Sequence, residues 1–272
     1  MKIIYTDDVL AYEQKGHPES PERLKKAYDY LKENHEIIGC SPASYDDIAR
    51  VHDTSHVDNV RQGTFFDPDT PAHENIYRYA RLSAGAAIEA QKRSGFSLAR
   101  PPGHHAGRDF LGGFCYFNNL AIAVKRSNLK TLIVDFDGHH GNGTEDIFAR
   151  DENVFYLSLH RIGIFPGTGE KRGPRVYNHG FTSVPGDKHY LEVFDEALAT
   201  IDLSFEQIAV SAGFDAHADD PLASLGLTEK AYRKIGERLS AFDVPLFSVM
   251  EGGYVAENLG PLISAYIEGL RR

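Results

Sequence analysis

Asp137-Gly138-His139 sets a carboxylate and an imidazole two positions apart in an extended segment, so both side chains face the same way. Such a pair can chelate a divalent ion. A nitrogen donor among oxygens suits Zn²⁺, whereas Mg²⁺ and Ca²⁺ prefer all-oxygen shells. Asp215, at the end of a separate apolar run, is the best third ligand. Three protein ligands leave a position for water, which is the arrangement of a catalytic centre rather than a structural one. The competing interpretation is a buried Asp–His hydrogen-bond network that holds no ion. Gly138, Gly141 and Gly143 favour the metal, because backbone without Cβ atoms turns tightly around a small ligand.

His104 and His105 follow Pro101-Pro102-Gly103, a stiff segment that would hold neighbouring imidazoles in place. An imidazole near a metal-bound water is a natural general base, its ordinary pKa being ~6.5. Adjacent histidines are more often surface decoration, so the pair gains meaning only from its company. Asp135 shares a strand face with Asp137, and a carboxylate partner fixes an imidazole's tautomer. Asn142 would orient the second histidine without adding charge. Tyr254, after Gly252-Gly253, either donates to a developing oxyanion or packs at a helix start, and spacing does not decide between the two.

These residues need a frame. Short apolar runs at 96–100, 130–137, 154–160, 207–215 and 246–252 read as strands, and each ends in ionisable or hydroxyl residues. Helical patterns near 117–127, 144–150, 188–201, 228–241 and 257–270 alternate with them. The fold expected is α/β: an open, mostly parallel sheet flanked by helices on both faces, with the site at the carboxyl ends of the strands. Ahead of it, MKIIYTDD reads as a strand running into an acidic turn, followed by a mainly helical third. Ser20 caps a helix with Pro21 in its first turn, running to about 34, and a second long helix covers 74–93. Residues 65–71 form a proline-broken loop. No segment is rich enough in Pro, Gly or Ser to divide the chain, so one domain over 1–272 is expected.

A net charge of −10 disfavours non-specific nucleic-acid binding, and no apolar run reaches the roughly 18 residues of a membrane span. Cys40 and Cys115 make no disulfide framework, and no signal-peptide pattern opens the chain; a reducing, cytoplasmic setting is expected. Asp67, Asp69, Glu74 and Asp109 fall on rim loops. They would attract cationic amines or simply be solvated.

Taken together these blocks resemble the arginase-like deacetylase superfamily, which contains class II histone deacetylases, bacterial histone-deacetylase-like amidohydrolases and acetylpolyamine amidohydrolases. The resemblance runs through HPESPERL at 17–24, DPDTP at 67–71, RPPGHHAG at 100–107, GGFCYFNN at 112–119, DFDGHHGNGTEDIF at 135–148, FPGTG at 165–169, SAGFDAHADDPL at 211–222 and EGGY at 251–254. It implies one Zn²⁺ per chain on Asp137, His139 and Asp215. It also implies His105 as base and later acid, His104 as its neighbour paired to Asp135, and Tyr254 as the group polarising the scissile carbonyl. Gly113, Phe114 and Phe165 match the walls of a tunnel for the acylated amine, and Arg23 matches an arginine lining an inner acetate cavity. Asp135, Asp137, His139 and Ser158 match a structural K⁺ or Na⁺ site. Asn142, where class I members carry aspartate, and the Glu-Gly-Gly-Tyr turn place the chain nearer class II and the polyamine enzymes.

The implied activity is zinc-dependent removal of an acyl group from an acetylpolyamine or acetyl-lysine. Oligomeric state is not legible. Asp215-Ala-His217-Ala-Asp219 also resembles an element of dinuclear manganese ureohydrolases, an alternative in which RPPGHH has no place. A non-catalytic acyl-amine-binding regulator is the alternative from another class, though no ligand or proton-transfer group is missing.

Overall fold

Mostly apolar, β-branched runs build eight strands among the described residues: β1 (Ile3–Ile4), β2 (Ile37–Ile38), β3 (Phe96–Ser97), β4 (Thr131–Asp135), β5 (Val154–Arg161), the more polar β6 (Val176–Phe181), β7 (Gln207–Ala212) and β8 (Leu246–Met250). This computed structural model describes residues 1–170, 173–201 and 204–271. The strands form a single sheet in the order β2-β1-β3-β8-β7-β4-β5-β6. Every pairing is parallel. All residues of β4, β7 and β8 are buried, whichever way they point, so both faces of the central sheet are covered.

The helices are α1 (Pro21–Leu31), α2 (Tyr45–Ala49), α3 (Thr54–Gln62), α4 (Ile76–Arg93), α5 (Asn119–Ser127), α6 (Asn142–Phe148), α7 (Gly186–Ala199), α8 (Glu229–Ser240) and α9 (Ala256–Gly269). They pack in two groups. In one, α4 lies on α5 and α3; in the other, α9 lies on α1 and α8, with α7 beside α8. The small-and-apolar face expected on α4 is buried, from Ile76 and Tyr79 through Ala84 to Ile88. Gly85 lets the chain at Ser41 approach, since a Cβ there would stand 1.9 Å from the Ser41 carbonyl oxygen.

The α/β class and parallel sheet are as expected, but four strands end earlier than their apolar patterns. The reason is where the backbone amides go. Past β4, Asp137 N–H donates to Asp135 Oδ1 at 3.1 Å and Gly138 N–H to Asp215 Oδ1 at 2.7 Å. Past β8, Gly252 N–H donates to Asp137 Oδ2 at 2.8 Å. Carboxylates replace the neighbouring strand as acceptors, so the ladder stops where the site begins. Ser20 occupies the cap position of α1, yet its hydroxyl makes no capping bond. Side-chain caps form elsewhere: Ser44 and Asp47 make a reciprocal capping box on α2, and Asn118 Oδ1 accepts the Ala121 amide at the start of α5.

Candidate active site

Asp137 and His139 leave the end of β4, and Asp215 leaves the end of the adjacent β7. His139 Nδ1 lies 2.7 Å from Asp215 Oδ2 and 3.1 Å from Asp137 Oδ1. One ligand atom from each falls within 4.8 Å of the others, the single such group among the described residues. All three residues are buried. Glycines make the room: a Cβ on Gly213 would sit 2.0 Å from Asp137 Oδ2, and one on Gly252 would sit 2.4 Å from Asp215 Oδ2.

Two buried carboxylates require positive charge between them. Burial opposes the imidazolium form of His139, but Asp215 and Asp137 outweigh it and lift that imidazole to about 10. Asp215 itself is pushed up to about 7 by burial and by Asp137. Three converging donors, two anionic and one nitrogen, fit a divalent cation such as zinc. His217 stands outside the group, and its Nδ1 accepts the Asp219 amide at 3.2 Å.

The two histidines after the prolines are divided by partner. His104 Nδ1 is 3.1 Å from Asp135 Oδ2, and its Nε2 is 3.8 Å from Asp137 Oδ1. Burial works against its charge, but Asp137 and Asp135 raise it to about 10. His105 lies beside it, tilted, with ring centroids 4.0 Å apart, and donates from Nδ1 to Asn142 Oδ1 at 2.8 Å. Burial, then the neighbouring His104 and His139, hold His105 well below its ordinary value. The two carboxylates thus favour the charged form of one imidazole, while burial favours the neutral form of its neighbour.

Around this pair stand the residues expected to form a tunnel. Phe165 meets His105 edge-on at 4.9 Å, and Phe114 meets Tyr254 edge-on at 5.8 Å. A Cβ on Gly113 would press within 2.4 Å of the His105 ring, so only glycine leaves that ring in place. Phe114 adopts a left-handed φ of 70°, and its amide is held by Thr70 Oγ1 at 3.0 Å. Burial, with Asp215 and Asp137 nearby and despite Arg23, keeps the Tyr254 hydroxyl well above its ordinary pKa.

Residues 17–270 match the model of the histone deacetylase domain. The chain belongs to this family. A probable deacetylase of Methanothermobacter thermautotrophicus is 37% identical over 99% of this chain and 90% of its own length. Acetylpolyamine amidohydrolase 1 of Pseudomonas aeruginosa is 35% identical over 72% of this chain and 62% of its own. The crystal structure of the HDA15 HD domain superposes with a TM-score of 0.92 at 32% identity, covering 99% of this chain and 87% of that one. Membership makes the protein a deacetylase, a hydrolase with a divalent-metal site. No helix among the described residues is long and apolar enough to cross a membrane.

Within this histone deacetylase fold, Arg23 is buried. It donates from Nε to Gly253 O at 2.6 Å and from Nη2 to Glu251 O at 2.8 Å, and it lies 4.8 Å from the Tyr254 ring centre. Glu19 bridges Arg23 to Arg100. Ser158 lies opposite Asp135 in the β4–β5 register, and its hydroxyl meets His160 Nδ1 at 2.9 Å. Asp135 also accepts from the Tyr156 hydroxyl at 3.0 Å. Of the acids expected on rim loops, Asp69, Glu74 and Asp109 are exposed and Asp67 is half-buried.

Sequence reasoning left several supports without a role. Asp220 Oδ2 accepts the Tyr254 amide at 2.7 Å, and Glu251 Oε2 accepts the Gly103 amide at 2.7 Å. Burial pushes the Glu251 carboxyl up to about 7 against the pull of His104. An acid next to a Gly-Gly pair, or in Asp-Asp-Pro, is the signal that could have flagged each.

Proposed function

We propose that this deacetylase uses Zn²⁺, held by Asp137, His139 and Asp215, to hydrolyse the acetyl amide of a cationic amine. Acetylpolyamines come first and acetyl-lysine is the rival. The observation that carries the reading is His105: an imidazole tied through Nδ1 to Asn142, with its ring 5.9 Å from that of His139. When bound, the metal supplies an acidified water and a Lewis acid for the acyl oxygen.

The chain's own groups do the rest. With Nδ1–H given to Asn142, Nε2 of His105 is left as the acceptor for the water's proton. His104 carries the lasting positive charge, balanced by Asp135 and Asp137, and so keeps His105 neutral until that proton arrives. The protonated His105 then gives its proton to the departing amine. Tyr254, which keeps its phenolic hydrogen, donates to the acyl oxygen as negative charge develops there. Phe114, Gly113 and Phe165 enclose the acyl chain and exclude bulk water. Arg23 serves the inner acetate end from beneath Tyr254, and Asp135, Asp137, His139 and Ser158 hold a structural K⁺ or Na⁺. The net charge of −10 and the exposed Asp69 support a cationic substrate.

A steady-state comparison of acetylputrescine, acetylspermidine and acetyl-lysine peptides on the zinc-loaded protein tests the proposal. The acetylpolyamines should show the highest kcat/KM. A zinc form that binds all three and cleaves none would instead identify a non-catalytic acyl-amine-binding regulator.

A further inference from the structure

Glu251 follows β8 directly and is 1% exposed. Its carboxylate reaches across to the segment that carries the two histidines. Oε2 accepts from two consecutive main-chain amides, Gly103 at 2.7 Å and His104 at 3.2 Å. Oε1 accepts from the Ser211 hydroxyl on β7 at 3.3 Å. Its own main chain is fixed at both ends, the amide to Ala212 O at 3.0 Å and the carbonyl from Arg23 at 2.8 Å.

From the other side the same turn rests on α5, where a Cβ on Gly103 would stand 2.6 Å from the Asn119 amide nitrogen. The turn is therefore clasped between helix and carboxylate. Gly103 and His104 are both buried, so without Glu251 two main-chain donors would lose this acceptor where water does not replace it. Asn142 holds His105 by its side chain; nothing in that bond sets the backbone from which the ring projects.

We propose that Glu251 is a positioning residue for the His104–His105 pair, acting through the shape and reach of its acceptor oxygens rather than through its charge. The inference rests on His105 being the proton-transfer group. Glutamine tests it directly. Its amide oxygen can take both main-chain donors, while its NH₂ can donate to the Ser211 oxygen. Aspartate keeps the charge and loses the reach.

The experiment compares Glu251→Gln and Glu251→Asp with the unaltered, zinc-loaded full chain, measuring kcat, KM and bound metal. Glu251→Gln should keep kcat within about threefold. Glu251→Asp should lose about 10- to 100-fold in kcat at unchanged KM and metal content, as when a group orienting a reactive residue is lost. An active Asp variant beside an inactive Gln variant overturns the proposal in favour of charge. Equal activities, whether both full or both reduced, also overturn it. If the Asp variant does not fold, the Gln variant decides alone: retained kcat supports the proposal and lost kcat overturns it. Failure of the unaltered chain to cleave any acetylated amine would count against the proposed function instead, and would be seen before any variant is compared.

Discussion

The side-chain oxygen of Asn142 accepts the Nδ1 hydrogen of His105 at 2.8 Å. That bond settles which ring nitrogen is free for chemistry, and it does so with a neutral partner. Asn142→Ala should lower kcat by about 10- to 100-fold, the usual cost of freeing an imidazole from its orienting group. Asn142→Asp should keep the geometry and add negative charge, which favours the imidazolium. The acid limb of its kcat/KM profile should therefore move to higher pH by about one unit, and a profile that does not move would remove His105 as the titrating base.

Metal content is the second measurement. Asp215→Ala removes one of three converging ligands while leaving His139 and Asp137 in place. Elemental analysis should find about one zinc on the unaltered chain and almost none on the variant. Chelation should abolish activity of the unaltered protein, and added Zn²⁺ should restore it.

Tyr254 carries the third. Removal of its hydroxyl in Tyr254→Phe should cost about 2–4 kcal/mol of transition-state stabilisation, roughly thirtyfold to a thousandfold in kcat, by analogy with loss of one oxyanion donor. Bound zinc should stay constant. A phenylalanine variant as fast as the original would exclude the hydroxyl from the reaction.

Acid sensitivity offers a fourth, away from the metal. His52 donates from Nδ1 to Gly107 O at 2.7 Å and accepts the Asn118 amide on Nε2 at 2.9 Å, so both ring nitrogens are committed in the neutral form. Burial, and then His56, lower it to about 3. The folded value lies below the unfolded one, so the stability His52 contributes is complete above about pH 6.5 and declines as pH falls towards 3. By pH 4 the loss should be of the order of a few kcal/mol. Thermal melts from pH 7 to 4 should fall more steeply for the original than for His52→Asn, which starts less stable but has no proton to take up there.

Much of this was legible because ionisable residues follow apolar runs. Asp137, Asp215 and Glu251 could be placed at strand ends without knowing the strand order. The strand limits were overshot because Phe136 and Phe214, both buried, continue the apolar pattern after the ladder has stopped. Only the destinations of the Gly138 and Phe214 amides, Asp215 and Gly252, reveal the change, and those lie far along the chain. β2 escaped notice because two isoleucines are too short to show a period, and β6 because Asn178 and Gly180 break its pattern. The work of Glu251 was hidden for a plainer reason: its partner Gly103 is 148 residues away.

β8 is the last strand to be synthesised, yet it lies between β3 and β7, near the middle of the sheet. Until it leaves the ribosome, both of those neighbours keep a bare edge, and the amide of Gly252 cannot reach Asp137. The nascent chain therefore holds every metal ligand some 35 residues before it has the strand that braces them. Zinc supplied early in synthesis meets a half-built cradle, and a protein shortened before Leu246 should be a client for chaperones rather than a weaker enzyme.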